Sequence, residues 1–446
     1  MVKSQRNSPQ SPSSYRKNLI LLIGIIASVK LIIILNIGQS LDGLYPGAWL
    51  GSDGETYLAA AESIAQDGIF SKSSLLVYFA PGYPYFLFIL QLLTGKLVFV
   101  FTSLIQTVLY SYSIYFFCQQ LLKTKFRKTT IPFAIIALFN PTLSLSSLVI
   151  GYENLVASLL LLTVGLFIFD ITSEESKTSR WPMLISSILL GITVWLSPRM
   201  ILPGFLLVLV WGILKKQSKK NLLVMFLAIT ILLGFQASII IRNEIATGDL
   251  VSQSSLGTLA IMGAGPNATG TYTNKDTGIF CNVEGLSPSQ SSNKKLNCVM
   301  NWYAENPVDG LVLLWKKSYY FWSPWFGPLY GGTMARNPYL NFHPVKSSIT
   351  TQSQLDFVMG TPGQIVSWLW ILGGWLLLII GHRSLIKYGG LQRVIGNVIL
   401  LLIVSNWLTA LVVVGDNRYR LPLMPLSLFL QLCGYMTVRK IKYLSQ

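Results

Sequence analysis

The feature that most constrains this chain is a recurring one: apolar runs, several long enough to cross about 30 Å of hydrocarbon at about 1.5 Å per residue, separated by short clusters of lysine and arginine. The runs occupy residues 19–37, 98–122, 131–148, 155–169, 182–196, 201–214, 222–241, 363–380, 394–414 and 421–438. They are expected to fold as helices, because lipid offers backbone N–H and C=O groups no partner and a helix satisfies its own. Of 446 residues, 52% are hydrophobic and 11% charged, against about 25% charged in an ordinary soluble domain. The expected class is an all-α polytopic membrane protein with about ten transmembrane helices.

The net charge of +17 invites a nucleic-acid reading, but the basic residues sit between apolar runs rather than on one polar face, so they act as topology signals. Lys3, Arg6, Arg16 and Lys17 precede the first run; Lys123, Lys125, Arg127 and Lys128 follow the second. Lys177 and Arg180, then Lys215, Lys216, Lys219 and Lys220, then Arg383 and Lys387, then Arg439, Lys440 and Lys442 mark the same inner side, with both termini inside. Residues 1–18 are then an inner tail, 19–241 a transmembrane module with a first outer loop at 38–97, 242–362 an outer domain of mixed structure, and 363–446 a second transmembrane module. Gly82–Thr94 is apolar but reaches only about 20 Å, too short to span. It is expected to be interfacial or re-entrant, since counting it as a span would put every later basic cluster on the wrong side.

Within the first outer loop, Ser52-Asp53-Gly54-Glu55 has capping-box spacing. Tyr57, Leu58, Ala61, Ile64 and Ala65 then recur at helical spacing opposite Glu55, Glu62, Ser63 and Gln66, as in a helix lying at the membrane interface. Asp53 either caps that helix or carries chemistry. Other polar residues fall at the outer ends of runs: Glu153 after the third, Arg199 in the hairpin between the fifth and sixth, Arg242 ending the seventh, and Asp416, Arg418 and Arg420 before the last. Ionisable groups are expensive there and point to function. Carboxylates beside arginines suit a base that activates a hydroxyl or amine while guanidinium groups hold a lipid phosphate; interfacial anchors paired with one another are the alternative. P-loop, G-x-S-x-G, H-E-x-x-H and metal-ligand spacings are absent from the sequence. Cys118 and Cys433 lie in apolar runs, whereas Cys281 and Cys298 share the outer stretch, where a disulfide can form and persist; two free thiols are the alternative.

Read in order, S-D-G-E-T-Y-L-A-A-A, F-A-P-G-Y-P-Y-F, N-P-T-L with I-G-Y-E-N-L, L-S-P-R-M-I-L-P, I-I-R-N-E ahead of G-T-L-A-I-M-G-A-G-P-N-A-T-G-T-Y, and D-N-R-Y-R-L-P-L-M-P cover most of the chain. Together they resemble the GT-C superfamily of polyprenyl-phosphate-sugar-dependent glycosyltransferases, in the glycosyltransferase 39-like branch of protein O-mannosyltransferases and the lipid A aminoarabinose transferase. The resemblance implies a GT-C fold in a bacterial plasma membrane with its active site on the extracytoplasmic side. It implies inverting transfer of one sugar from a polyprenyl-phosphate carrier to a lipid, glycan or protein acceptor. Asp53 matches the family's base, with Glu153 in reserve, and Glu55, Tyr83, Arg199, Arg242, Arg418 and Arg420 are the expected substrate contacts. Tyr78-Phe79-Ala80 stands where the family often has a basic residue, so Lys72 or the later arginines would take over the phosphate contact. Without the D-x-D signature of related oligosaccharyltransferases, neither metal nor cofactor is expected. A lipid-linked oligosaccharide polymerase or ligase, and a transporter or flippase, are the competing readings.

Overall fold

A computed structural model describes residues 12–36, 47–50, 53–172, 181–215, 219–273, 275–324 and 361–440. Lys3, Arg6, Ser52, Lys177, Arg180, Lys216 and Lys442, named above, lie outside the described residues. The chain opens with α1 (Pro12–Asn36) and a two-residue strand β1 (Trp49–Leu50), then α2 (Gly54–Asp67), α3 (Ser74–Tyr78), α4 (Gly82–Thr94), α5 (Val98–Leu122), α6 (Thr130–Phe139) and α7 (Pro141–Ser146). After β2 (Val149–Ile150) come α8 (Glu153–Thr172), α9 (Trp181–Leu196), α10 (Ile201–Leu214), α11 (Lys219–Thr247), α12 (Ser255–Met262), α13 (Pro288–Glu305) and α14 (Pro307–Trp322). The last three are α15 (Thr361–Tyr388), α16 (Gly390–Val412) and α17 (Met424–Val438).

This is an all-α polytopic membrane protein: among the described residues, 7 helical segments are long and apolar enough to cross a membrane, and α9 and α10 are shorter apolar helices. Leu21, Leu223, Phe226 and Leu376, on α1, α11 and α15, expose apolar side chains outward, as lipid-facing helices do. Helix α8 is instead sheathed by α5, α9 and α17, and 83% of its apolar window is buried. Phe117, Phe133 and Phe429 meet edge-on or tilted beside it and lock α5, α6 and α17 together.

Two stretches depart from the simplest reading of the apolar runs. Residues 131–148 form no continuous span: Pro141 has no N–H and pushes Asn140 into extended geometry, at φ −63° and ψ 117°, ending α6. Asn140 then accepts from the Leu143 N–H at 3.1 Å and starts α7. Gly82–Thr94 is a helix of its own, set off from α5 by a 3₁₀ turn at Gly95–Leu97 in which Gly95 sits at φ +54°, although the two run on as one apolar helical segment, Gly82–Leu122. Lys30, mid-span in α1, faces inward and donates to Ser147 Oγ at 2.9 Å.

Beyond α11, the described residues of 248–324 form a lobe of α12, α13, α14 and connecting loops, in which Cys281 and Cys298 are joined by a disulfide. The lobe meets the bundle at Gly415, whose N–H donates to Gly270 O at 2.8 Å. A Cβ there would come within 2.0 Å of the Lys317 carbonyl, so the approach requires glycine.

Candidate active site

The parallel pairing of β1 with β2 sets the site's register. Leu50 stands opposite Ile150, and three residues beyond each strand lies a carboxylate, Asp53 and Glu153, at the start of α2 and α8 respectively. Helix N-termini favour negative charge, so the strand pair brings two carboxylates together, each at a position that suits it. Arg418 bridges them from the other end of the sequence. Its Nη1 donates to Asp53 Oδ2 at 2.7 Å and its Nε to Glu153 Oε1. Asp416 orients this arginine by accepting from the Arg418 N–H at 2.7 Å, capping the short 3₁₀ helix Asn417–Leu423.

The two acids differ in what they have left to offer. Glu153 is buried, and its Oε2 has no hydrogen-bond partner among the described residues. Asp53 makes no side-chain cap bond to α2, so capping does not explain it. Its side chain is one-third exposed, at 33%, toward a cavity of about 620 Å³, within the roughly 300–1,000 Å³ range of small-molecule sites.

The cavity is closed by segments far apart in sequence: the start of α2, the Tyr78–Ala80 turn, Tyr152, the hairpin at Ser197–Arg199, α12 with the loop before it, and the end of α16. Arg199 contributes a second cation to the cavity wall. Its guanidinium stacks on the Tyr419 ring at 3.9 Å, yet all three of its nitrogens are buried without a hydrogen-bond partner among the described residues. Tyr419 is in turn held by a hydroxyl–hydroxyl hydrogen bond to Tyr272. Burial raises the pKa of Tyr57 and of Tyr152, and pushes Tyr272 up to about 12. These phenols are protonated at neutral pH and serve the cavity as hydroxyl donors, not as bases.

The remaining expected contacts lie elsewhere. Arg242 is buried outside the cavity wall; it donates to Asn243 Oδ1 at 2.9 Å and to the Ser71 carbonyl, tying α11 to the first outer loop. Arg420 donates to the carbonyls of Trp322, at 3.1 Å, and Ser323, at 2.7 Å, which places a cation at the C-terminus of α14. Tyr83 is buried beneath the site, where its hydroxyl accepts from the Gly151 N–H at 2.7 Å and steadies the turn into Glu153. Glu55 is exposed on α2 and does not line the cavity. Tyr152, Tyr272 and Tyr419 were missed as functional residues by reasoning from charge, although Tyr152 and Tyr419 each adjoin a charged residue that was singled out. Among the described residues, no group of three His, Cys, Asp or Glu is placed to hold a metal. No protein-family model matches the chain, and no curated protein matches it.

Proposed function

We propose that this protein is a membrane glycosyltransferase of GT-C type that moves one sugar from a polyprenyl-phosphate carrier to an acceptor hydroxyl or amine. The observation that carries this reading is the pairing, in one cavity, of a partly exposed carboxylate with an unpartnered guanidinium. Asp53 accepts from Arg418 at Oδ2 and its Oδ1 takes no hydrogen bond from the described residues, so Oδ1 is the atom available to take a proton. In the proposed step the acceptor O–H or N–H gives its proton to Asp53 Oδ1, and the acceptor's lone pair attacks the anomeric carbon. The bond from that carbon to the phosphate oxygen breaks, and its electron pair leaves with the polyprenyl phosphate. Attack opposite the leaving group inverts the anomeric centre. One base suffices, because a phosphate leaves without help from an acid. Arg199 supports this step as the phosphate contact, since a guanidinium already desolvated and without a carboxylate partner gains most from an arriving anion. Arg418 holds Asp53 and Glu153 in register and steadies the aim of the base.

The site lies where the polar ends of the spans converge, away from the basic clusters; that distribution supports an outward-facing site, and the resemblance implies the extracytoplasmic side of a bacterial plasma membrane. With α9, α10 and a path through α6 and α7 added to the long helices, about ten crossings of the GT-C kind fit the chain. The test is single-turnover transfer from purified lipid-linked monosaccharides, run beside polyprenyl-diphosphate-linked oligosaccharides. Transfer of a single sugar by the intact chain, lost in Asp53→Asn, supports the reading; transfer only from the diphosphate donors overturns it.

A further inference from the structure

Helix α14 has two apolar faces, and the protein covers one. Gly310, Leu313, Lys317 and Phe321 turn inward. The helix is fixed in that orientation by Arg420 on its last carbonyls and by Lys317 Nζ donating to Leu411 O at 3.0 Å. On the opposite side, at helical spacings of three and four, Val308, Leu311, Val312, Trp315 and Tyr319 are 71%, 68%, 49%, 74% and 48% exposed. Single exposed apolar residues are ordinary, but a contiguous stripe that includes tryptophan and tyrosine marks a surface that something covers.

Its neighbour indicates what. The Tyr319 ring packs on Trp368 with centroids 5.3 Å apart, and Trp368 begins the membrane-length segment Trp368–Tyr388 of α15. Leu369, Leu372 and Leu376 continue outward from there, each exposed. The stripe therefore runs into the surface that α15 turns to lipid, at the end of a span, where tryptophan and tyrosine sit at headgroup level. Lys316, exposed beside the stripe, suits anionic headgroups. We infer that α14 lies in the membrane interface with Val308, Leu311, Val312, Trp315 and Tyr319 in the boundary between headgroups and acyl chains. The occupant of the stripe is lipid. This anchors the disulfide-bonded lobe on the bilayer beside the cavity whose wall Tyr272 forms, and it holds whether or not the reaction is glycosyl transfer.

The test places an environment-sensitive thiol dye at Leu311→Cys, at Val308→Cys and, on the exposed face of α13, at Asn301→Cys, each in the full chain reconstituted in phosphatidylcholine–phosphatidylglycerol vesicles. The native thiols are buried or bonded, so the unsubstituted chain supplies the background. A nitroxide lipid labelled near its headgroup should quench dyes at 308 and 311 at least about threefold more than at 301, with aqueous iodide showing the reverse order. Equal nitroxide quenching at all three positions, with iodide reaching 308 and 311, overturns the inference. So does shielding of 308 and 311 that grows with protein-to-lipid ratio without nitroxide quenching, which would make the occupant a second copy of the chain.

Discussion

Four arginines were singled out at the outer ends of the apolar runs, and the structure sorts them into two environments. Arg242 and Arg420 donate to backbone carbonyls of Ser71, Trp322 and Ser323; they join segments, and only the Nε of each is left without a partner among the described residues. Arg199 and Arg418 line the cavity, one with no hydrogen-bond partner among the described residues and the other shared between two carboxylates. The difference teaches that a buried arginine is identified by what its nitrogens already hold. A guanidinium bonded to carbonyls has found its ligand, whereas one stacked on a ring with its donors unused is prepared for an anion that arrives.

The comparison can be broken most sharply at Arg418. Arg418→Ala leaves Glu153 buried without a counter-charge and should lower stability by about 3–5 kcal/mol, read as thermal unfolding in detergent; Arg418→Ala with Glu153→Gln should recover part of that loss. If Arg418→Ala alone unfolds like the intact chain, the bridge is not what holds the two helix starts together. Reducing the Cys281–Cys298 bond, which closes a sequence separation of 17, should cost roughly 3 kcal/mol in the chain-entropy view. The effect should appear as faster hydrogen exchange across 265–322, with little change in α8. Arg420→Met should loosen the C-terminus of α14 by about 1–3 kcal/mol, because two carbonyls lose a charged donor, with donor affinity unchanged.

The smallest expected effect is a pH dependence. Lys317 is buried in the lobe, and burial pushes its pKa down from 10.5 to about 7. Between those values the unfolded lobe binds more protons than the folded one, so stability rises with pH from about 7 to about 10.5. Below that window the full cost of burying the charge remains. Hydrogen exchange at α14 should therefore slow, beyond its intrinsic pH trend, between pH 7 and 9, and Lys317→Met should remove that slowing. An unchanged trend in Lys317→Met would remove Lys317 as its source.

Much of this was legible in the sequence, and what was not has definable causes. The membrane class follows from run length and hydropathy, and α4 was bounded at Gly82–Thr94 by its apolar stretch. The break at Asn140-Pro141 was equally readable and was overridden by the apolar run around it. Asp53, Glu153 and Arg418 could be picked out singly, because charge at the end of a span is expensive. Their union could not, since Arg418 and Asp53 are 365 residues apart and are brought together by helix packing and a two-residue strand pair. The fate of Arg242 was invisible for a different reason: its long-range partner is the Ser71 backbone carbonyl, a group every residue carries and no side chain announces.

The most direct test of the two environments, and of the proposed chemistry, is donor affinity and single-turnover rate measured side by side for Asp53→Asn, Arg199→Ala and Arg242→Ala, with thermal unfolding of each recorded in the same detergent. Asp53→Asn should bind donor nearly as the intact chain does and turn over on the order of 10²-fold or more slowly. Arg199→Ala should weaken donor binding by about 1.5–3 kcal/mol while unfolding normally, and Arg242→Ala should unfold earlier with donor affinity kept. Normal turnover by Asp53→Asn, or donor binding lost in Arg242→Ala but kept in Arg199→Ala, would contradict the account.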